Sequence, residues 1–211
     1  GVNVACDDCE AGKYKAASGV NVACDNCQAG KYKADAGVNT ACDICEAGKY
    51  KARAGNNTAC DNCEAGKYKA QAGVNVACDN CEAGKYEANA GVNTACDDCE
   101  AGKYSAASGA TAESTCSACT SNSNSAAGSD AASDCICNAG FTSDGAGACQ
   151  ACAAGTYKAG TGNEACTDCG AGKHLASEGG DEEADCVLCG AGKYSTTLGA
   201  TGPATCLDCG A

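Results

Sequence analysis

Cysteine is the residue type in this sequence whose number and spacing could do chemistry. The chain carries 24 cysteines in twelve close pairs, eleven of them C-x-x-C and one, Cys135 with Cys137, C-x-C. The first cysteines of the early pairs recur every 18 residues, at Cys6, Cys24, Cys42, Cys60, Cys78 and Cys96. Thiols at this spacing can form disulfides, bind a soft metal ion such as zinc, or act as a redox dithiol.

The pattern favours disulfides over the other two chemistries. Zinc would need the cysteines grouped in fours, whereas the strict repeat makes every pair equivalent to both of its neighbours. The C-x-C pair also breaks the zinc-knuckle spacing. A redox dithiol needs a lowered thiolate pKa at the start of a helix, and no such helix is predicted. A metal-binding cysteine array is kept as a third functional hypothesis.

Other residues that could form a site give weaker patterns. Acidic residues surround the pairs, as at Asp7, Asp8 and Glu10, but no calcium loop of spaced oxygen ligands appears, so a solvated acidic surface is favoured. His174, the only histidine, stands where other units have tyrosine and is interpreted as a ring substitute. The sequence therefore predicts no catalytic residue, no metal ion, no cofactor and no enzyme activity.

The residues that must position the cysteines are small and polar. Leu, Ile, Val and Phe together supply only 16 of 211 residues, and the formal net charge is −13. Such a chain buries too little apolar surface to fold unless covalent cross-links replace the core. We therefore predict small disulfide-rich repeats without a hydrophobic core, in an extracellular or cell-surface location.

Charge and hydropathy argue against two kinds of partner. The excess of 27 acidic over 14 basic residues is unsuited to a nucleic-acid backbone. No stretch approaches the roughly 20 apolar residues of a membrane span.

The chain opens inside a repeat without an initiator Met, so we expect a mature product or a segment of a longer array.

Tandem near-identical units predict a quasi-one-dimensional architecture, because each unit meets a copy of itself. We expect an elongated rod or spiral of short β-hairpins with little regular secondary structure. In the first unit, Lys13–Lys15 and Val20–Val22 are predicted to pair across a turn at Gly19. Gly12 recurs in every regular unit, which either a left-handed φ or a close backbone approach would explain. Tyr14 recurs likewise, and its ring is expected to cover a disulfide.

The regularity of the spacing suggests three segments. Residues 1–115 hold the regular 18-residue repeats, 116–152 hold degenerate repeats, and 153–211 hold further degenerate cysteine-rich repeats. The polar stretch Thr120–Asp134 loses the Gly-Lys-Tyr signal and is predicted to be a flexible loop that marks the junction.

The unit carries a motif of known extracellular modules. C-x-A-G-K-Y, followed by a short variable stretch and A-C-x-x-C, resembles the ephrin-receptor-like and TNF-receptor-like cysteine-rich modules over nearly the whole chain. Cys135-Ile-Cys137-Asn-Ala-Gly140-Phe141, with Cys149 downstream, is similar to the second half of an EGF-like module, placed within segment 116–152. Long arrays of such modules resemble algal cell-surface proteins, including those of the flagellar hairs called mastigonemes.

The resemblance implies a disulfide pairing, in which the second cysteine of one pair is joined to the first cysteine of the next. The implied bridges are Cys9 with Cys24, Cys27 with Cys42, Cys45 with Cys60, Cys63 with Cys78, Cys81 with Cys96, Cys99 with Cys116, Cys119 with Cys135, Cys137 with Cys149, Cys152 with Cys166, Cys169 with Cys186, and Cys189 with Cys206. Cys6 and Cys209 are left without a partner. By loop entropy, each closure of about 15 residues is worth roughly 3 kcal/mol, whereas a bridge within one pair would close a small, strained loop.

One glycosylation site is predicted. Asn56-Asn57-Thr58 is the single N-x-S/T acceptor and lies in the turn region of its unit, where exposure is expected. O-linked sugar is expected on the Ser-rich stretch Thr120–Asp134.

The near-identity of six consecutive units favours a structural subunit of an extracellular filament or surface appendage, stiffened by an inter-repeat disulfide ladder. Its expected partners are further copies joined head to tail through Cys209 and Cys6, covalent glycans, and a second filament chain as a further candidate. A ligand-binding or adhesive ectodomain is the alternative, and it would need a distinctive patch in the degenerate half from Cys116 onward.

Overall fold

A computed structural model describes residues 9–15, 23–37, 41–73 and 77–210 of the chain. This part of the protein consists of tandem two-stranded antiparallel hairpins and contains no α-helix. The chain divides into two compact regions, one formed by Gly1–Cys99 with Ala106–Thr115 and the other by Glu100–Ser105 with Cys116–Ala211. The predicted class of small disulfide-rich repeats built from short hairpins is confirmed. The rod or spiral and the three sequence segments stay predictions.

Each hairpin pairs an odd-numbered strand with the next even-numbered strand. The strands are β1 Lys13–Tyr14, β2 Asp25–Asn26, β3 Lys31–Tyr32, β4 Asp43–Ile44, β5 Lys49–Tyr50, β6 Asp61–Asn62, β7 Lys67–Tyr68, β8 Asp79–Asn80, β9 Lys85–Tyr86, β10 Asp97–Asp98, β11 Lys103–Tyr104, β12 Ser117–Ala118, β13 Ser123–Asn124, β14 Ile136–Cys137, β15 Phe141–Ser143, β16 Cys149–Ala151, β17 Thr156–Tyr157, β18 Thr167–Asp168, β19 Lys173–His174, β20 Val187–Leu188, β21 Lys193–Tyr194 and β22 Leu207–Asp208.

The first hairpin shows how a unit is built. Lys13 lies opposite Asn26, and Tyr14 lies opposite Asp25. The second strand is therefore formed by the two residues between the cysteines of the following pair. The bridge from Cys9 to the next pair brings those residues alongside the strand that follows Cys9.

The predicted partner strand was wrong. Val20–Val22 lies outside the described residues, but its counterparts Asn56–Thr58 and Val92–Thr94 form no strand. The disulfide fixes the residues between the cysteines next to the first strand, so the turn-region residues are left to contact the neighbouring unit instead.

Half-cystines form the interior of the molecule. The second cysteine of most described pairs is at most 1% exposed, at Cys9, Cys27, Cys45, Cys63, Cys81, Cys99, Cys137, Cys152 and Cys169. Apart from cysteines, the buried apolar side chains among the described residues are Ala110, Leu175 and Ala200. Covalent cross-links thus occupy the place of a hydrophobic core.

Loops longer than those of the regular units contain a 3₁₀ helix directly before a first cysteine. These helices are Glu113–Thr115, Ala132–Asp134, Glu183–Asp185 and Pro203–Thr205. The disulfides that close the last three loops span 16 or 17 residues, against 15 in the regular units. Asp134 Oδ2 accepts the backbone N–H groups of Asp130 and Ala131, which fixes the start of its helix.

The polar stretch Thr120–Asp134 forms a unit rather than the predicted flexible loop. It contains strand β13 and a 3₁₀ helix. Asn122 stands at the place of the recurring glycine with φ of 62°, the one positive φ of a non-glycine residue in the described part of the chain. Asn tolerates this left-handed region better than most residues, which explains how the unit keeps its bend without the glycine.

Candidate functional site

Covalent links between successive units are the first element of the candidate site. The described bridges have Cα–Cα distances of 5.5 to 5.8 Å, within the usual range for disulfides. They join Cys9 to Cys24, Cys27 to Cys42, Cys45 to Cys60, Cys63 to Cys78, Cys81 to Cys96, Cys119 to Cys135, Cys137 to Cys149, Cys152 to Cys166, Cys169 to Cys186 and Cys189 to Cys206. Cys99 and Cys116 are disulfide-bonded as well. The pairing in the native protein stays a prediction.

The two cysteines expected to be unpaired differ in what the structure shows of them. Cys209 is free and exposed. Cys6 lies outside the described residues. Within the described ranges, no group of three His, Cys, Asp or Glu side chains could hold a metal ion.

Three backbone hydrogen bonds recur between many neighbouring units of the described chain. The glycine after a cysteine pair donates to the residue that follows the ring in the next unit, as from Gly12 to Lys33 at 2.8 Å. The N–H group of the residue after the ring donates to a carbonyl group in the next unit. That carbonyl belongs to the residue after the turn glycine, as from Lys33 to Asn56 at 3.2 Å. The N–H group of the turn glycine donates to the carbonyl group of the second cysteine in the preceding unit, as from Gly37 to Cys9 at 2.9 Å.

These bonds continue through the degenerate units. The first bond also joins Gly30 to Lys51, Gly48 to Lys69, Gly66 to Glu87, Gly102 to Ser125, Gly140 to Lys158, Gly155 to Leu175 and Gly172 to Ser195. Because only backbone atoms take part, the units can diverge in side chains and still stack in one register.

The recurring glycine is required for both of the reasons that the sequence left open. Gly48 has φ of +80°, and a Cβ built on it would lie 2.1 Å from the carbonyl oxygen of Gly91, two units further along the chain. Gly12 has φ of +84° and would meet Gly55 at 2.4 Å. A side chain here would therefore suffer backbone strain and a collision with backbone atoms.

The ring position covers a disulfide, as predicted, at Tyr157. Tyr157 packs against the buried cluster of Cys169, Leu175 and Cys186, which contains the bridge of the following unit. His174 occupies the ring position of the next unit, and its Nδ1 is buried without a hydrogen-bond partner in the described structure. The ring substitute is therefore accommodated by packing.

The importance of the residue after the ring was not apparent from the sequence. This position is buried in most of the described units, with Lys33, Lys51, Lys69, Glu87, Ser105, Ser125, Lys158, Leu175 and Ser195 each at most 7% exposed, whereas Lys15 and Thr142 are half-buried. Lys51 Nζ donates to Thr58 Oγ1 and to the Ala59 carbonyl, both at 2.9 Å, and forms an ion pair with Asp61 at 3.3 Å. The buried ammonium thus holds the second half of its own disulfide loop.

A signal for this role exists in the sequence. Lys51 faces an Asp at the first position between the next cysteines, and Lys69 likewise pairs with Asp79 at 3.8 Å. Where the buried residue is Leu175, the corresponding residue is Val187. Both positions are thus charged in the unit of Lys51 and apolar in the unit of Leu175.

The surface carries short, repeated ion pairs. Lys13 with Glu10, Lys49 with Glu46, Lys67 with Glu64 and Lys103 with Glu100 lie 3.1 to 3.3 Å apart, with the carboxylates largely exposed. Exposed pairs of this kind contribute about 0–1 kcal/mol each. Their repetition sets surface charge rather than stability.

Among the residues that the structure describes, three ionisable groups have shifted pKa values. A hydrogen bond to Asp98 raises the pKa of Lys85. A hydrogen bond from Lys173 lowers the pKa of Glu183, while backbone N–H groups of Ala146 and Ala148 lower that of Asp144. All three are local charge or hydrogen-bond effects at the surface.

The predicted glycosylation site is less open than expected. Asn56 is half-buried, its side-chain Nδ2 donates to the Arg53 carbonyl, and its own carbonyl accepts the Lys33 N–H. Thr58 is exposed, although its hydroxyl accepts from Lys51. The burial arises because the turn region contacts the preceding unit, which the sequence alone could not show.

Exposed large apolar residues concentrate in the degenerate half. Val187, Leu188, Leu198 and Leu207 are 56, 69, 63 and 55% exposed. In the regular hairpins, residues at the positions of Val187 and Leu188 are mostly Asp and Asn, as in β2, β6 and β8. A groove of about 630 Å³ also lies in this half, lined by Asn124, Ser125, Ala126, Ser129, Ser133, Asp134, Ile136 and Thr161.

Comparison with known proteins gives one family match. Residues 140–186 match the family described as tyrosine-protein kinase ephrin type A/B receptor-like. No curated protein matches the chain. Among the described residues, no helix is long and apolar enough to cross a membrane. The chain is thus a disulfide-rich repeat array that contains an ephrin-receptor-like cysteine-rich region, a combination typical of extracellular ectodomains.

Proposed function

We propose that the chain is a structural subunit of an extracellular filament or surface appendage, stiffened by the inter-repeat disulfide ladder. One observation carries this proposal: the same disulfide and the same backbone bonds connect successive units in both the regular and the degenerate parts. A load applied to one unit passes to the next through a covalent loop. The resemblance of such arrays to mastigoneme-type proteins supports the same role by analogy.

The proposed partners are further copies of the chain, arranged head to tail, with covalent glycans and a second filament chain as additional components. A bond from the exposed Cys209 to a cysteine equivalent to Cys6 would make the array covalent. Contacts that repeat without closing a ring generate an open filament.

Electron microscopy tests the leading proposal. Native material should show fibres whose length falls when disulfides are reduced under conditions that otherwise preserve the protein. Discrete particles of uniform size in native material, before any reduction, would contradict a filament role.

A ligand-binding or adhesive ectodomain is the second candidate, and the exposed apolar side chains of β20 support it. Beads coated with the chain should then adhere to cells of the source organism, and Val187→Asp with Leu188→Asp should abolish adhesion. Ile44→Asp is the matched control, because Ile44 is 55% exposed at the position equivalent to Leu188 in a regular unit. Equal adhesion of all variants would remove this candidate.

A further inference from the structure

One internal junction between two units lacks the backbone hydrogen bonds that recur elsewhere. The unit that starts at Cys119 is followed by the unit of the Cys137–Cys149 bridge, which spans 12 residues instead of 15. Among the described residues, the N–H groups of Asn122 and Ser125 donate no bond to this shorter unit. Ser125 N–H donates instead to Asn124 Oδ1 at 3.0 Å. The shortened loop therefore leaves part of the preceding unit uncovered.

The ring position of the same unit holds a small side chain. Asn124 stands where the regular units have a tyrosine such as Tyr50, and it is exposed, whereas Tyr50 is half-buried. Asn124 lies opposite Ile136 in the β13–β14 hairpin, and both residues line the groove of about 630 Å³. A volume in this range is typical of small-molecule sites. The groove thus lies where an internal unit has lost its ring and its successor is short.

Backbone hydrogen bonds fix one wall of the groove to the preceding unit. The Ser125 carbonyl accepts the Gly102 N–H at 2.9 Å, and the Ser129 carbonyl accepts the Ser105 N–H at 3.1 Å. Both serines line the groove. Their positions are therefore set before any ligand arrives, which lowers the entropic cost of binding.

The turn that carries Thr161 is fixed in the same way. Gly162 N–H donates to the Cys137 carbonyl at 2.8 Å, and Asn163 Oδ1 accepts the Cys137 N–H at 3.2 Å. These two bonds hold the turn against strand β14, whose other residue, Ile136, lines the groove.

The described residues that line the groove offer hydroxyl, amide and carboxyl groups, but no basic or aromatic side chain. The hydroxyls of Ser133 and Thr161 and the Nδ2 of Asn124 have no hydrogen-bond partner among the described residues. Asp134 Oδ2 already accepts two backbone N–H groups of its own loop. Ile136, 37% exposed, adds an apolar surface.

These groups favour one class of ligand over the others. An anion would need a basic partner, a calcium ion would need several oxygen ligands around it, and a nucleobase would need an aromatic platform. A neutral polyhydroxyl compound fits, because each of its hydroxyls can donate to and accept from serine, threonine and asparagine side chains. Its C–H groups can cover Ile136.

We propose that the groove between Asn124, Ser133, Ile136 and Thr161 binds a neutral saccharide. A glycan on another copy of the chain and a separate extracellular polysaccharide present the same chemistry. The proposal goes beyond a filament role and does not depend on it, because it rests on the lining of one internal groove.

NMR titration of the full chain, produced with its disulfides in a bacterial periplasm and therefore without N-glycans, tests the groove. The probes are glucose, galactose, mannose, xylose, N-acetylglucosamine and their disaccharides. At least one probe should shift the Asn124 side-chain amide and the backbone amides of Ile136 and Thr161 saturably, with a Kd in the millimolar range or below. A sulfated heparin oligosaccharide should bind more weakly, since the chain carries a formal charge of −13.

Two pairs of variants locate the binding. Asn124→Tyr restores the residue of the regular units and should abolish the shifts, because the ring would fill the groove, whereas Ser121→Tyr adds a ring outside the lining and should bind like the parent. Ser133→Ala with Thr161→Ala should weaken binding about tenfold through two lost hydrogen bonds. Ser121→Ala with Thr167→Ala is the matched control, since both hydroxyls are on exposed residues outside the lining.

A pull-down with the immobilised periplasmic chain distinguishes the two sources of saccharide. The probes are glycans released enzymatically from the native protein and polysaccharide extracted from the surface of the source organism. Retention of the released glycans would assign the ligand to another copy, and retention of the polysaccharide alone would assign it to a separate polymer. Retention in either case should be lost in Asn124→Tyr.

Three results overturn the proposal: no saturable shift with any neutral probe, equal binding by Asn124→Tyr and Ser121→Tyr, or tighter binding of the heparin oligosaccharide than of every neutral probe. Electron microscopy of native material decides the filament role separately. Saccharide binding without fibres would establish the groove and reject the filament, whereas fibres without saccharide binding would do the reverse.

Discussion

The ammonium of Lys51 lies 3.3 Å from Asp61 Oδ2 and connects the buried post-ring position to the strand between the next two cysteines. The lysine side chain is 9% exposed, while the aspartate is 63% exposed. The positive charge of Lys51 therefore lies inside a disulfide loop, with the hydroxyl of Thr58 and the carbonyl of Ala59 as further acceptors. Burial of a cation in this way is stable only when its donors are satisfied.

We expect Lys51→Met to destabilise the β5–β6 unit by about 1–2 kcal/mol, because three hydrogen bonds of the buried ammonium are lost. Amide hydrogen exchange of that hairpin measures the local opening energy. Lys49→Met is the matched control, since Lys49 is 40% exposed and its pair with Glu46 should contribute about 0–1 kcal/mol. Equal protection in the two variants would contradict a structural role for Lys51.

A second variant tests whether the charged pair can be exchanged for an apolar one. Lys51→Leu alone should leave Asp61 without its partner, whereas Lys51→Leu with Asp61→Val reproduces the residues found at Leu175 and Val187. We expect the double variant to recover at least half of the exchange protection lost in the single variant. Additive losses would show that the two positions are not coupled.

Substitutions at two glycines separate the energetic cost of backbone strain from the cost of a steric collision. Gly48 and Gly145 both have φ of +80°, but only Gly48 has backbone atoms where a side chain would stand. Gly145→Ala should cost about 1–2 kcal/mol for the left-handed conformation. Gly48→Ala should cost about 1–3 kcal/mol more because the neighbouring turn must move. Thermal unfolding of the oxidised chain and exchange at Cys63 N–H, which bonds to the Gly48 carbonyl, measure both effects.

The sequence predicted features that depend on residues close together in the chain. The cysteine period, the recurring Gly12 and the ring at Tyr14 were sufficient to indicate short hairpins and a ring over a disulfide. The partner strand was not predictable, because Asp25–Asn26 is two residues long and carries no alternation of polarity.

Contacts between units were the part that the sequence could not provide. Burial of Lys33 and half-burial of Asn56 both follow from one hydrogen bond between neighbouring units, and residue type argues for exposure at both positions. Only the joint change from Lys51 and Asp61 to Leu175 and Val187 hinted that the post-ring side chain faces inward.

Two carboxylates with lowered pKa should respond differently to salt. The pKa of Glu183 is lowered by Lys173, whose Nζ lies 2.8 Å away, whereas that of Asp144 is lowered by backbone N–H groups. Because each folded pKa is depressed, the stabilising contribution is present above the unfolded values of about 4 and is lost as pH falls through the folded pKa.

NMR titration of the side-chain carboxyls measures both pKa values. High salt should return the pKa of Glu183 toward its ordinary value and leave that of Asp144 low, since screening weakens a charge pair more than fixed hydrogen bonds. Lys173→Ala should do the same to Glu183 alone. A salt response of equal size at both residues would contradict the assigned causes.

Glycan is expected at Asn56 despite its half-buried position, because attachment keeps one amide hydrogen for the bond to Arg53. Peptide mapping of native protein, with and without a glycosidase, should show the modification. Thr58→Ser keeps both the acceptor motif and the hydroxyl that binds Lys51 and should stay glycosylated, whereas Thr58→Val should not. An unmodified Asn56 in secreted native protein would reject the site and leave the fold unaffected.

The disulfide register is the prediction on which the ladder depends. Digestion of native protein without reduction, followed by mass spectrometry, should recover linked peptides such as Cys45 with Cys60, since each closure of about 15 residues is worth roughly 3 kcal/mol by loop entropy. Bridges within one pair, such as Cys60 to Cys63, would close small loops and leave adjacent units unconnected. Cys45→Ser with Cys60→Ser should release one unit locally, raising amide exchange in β5 and β6 while distant hairpins keep their protection, because each unit contacts only near neighbours. Recovery of mainly within-pair bridges, or of free thiols that bind zinc, would reject both the ladder and the extracellular assignment.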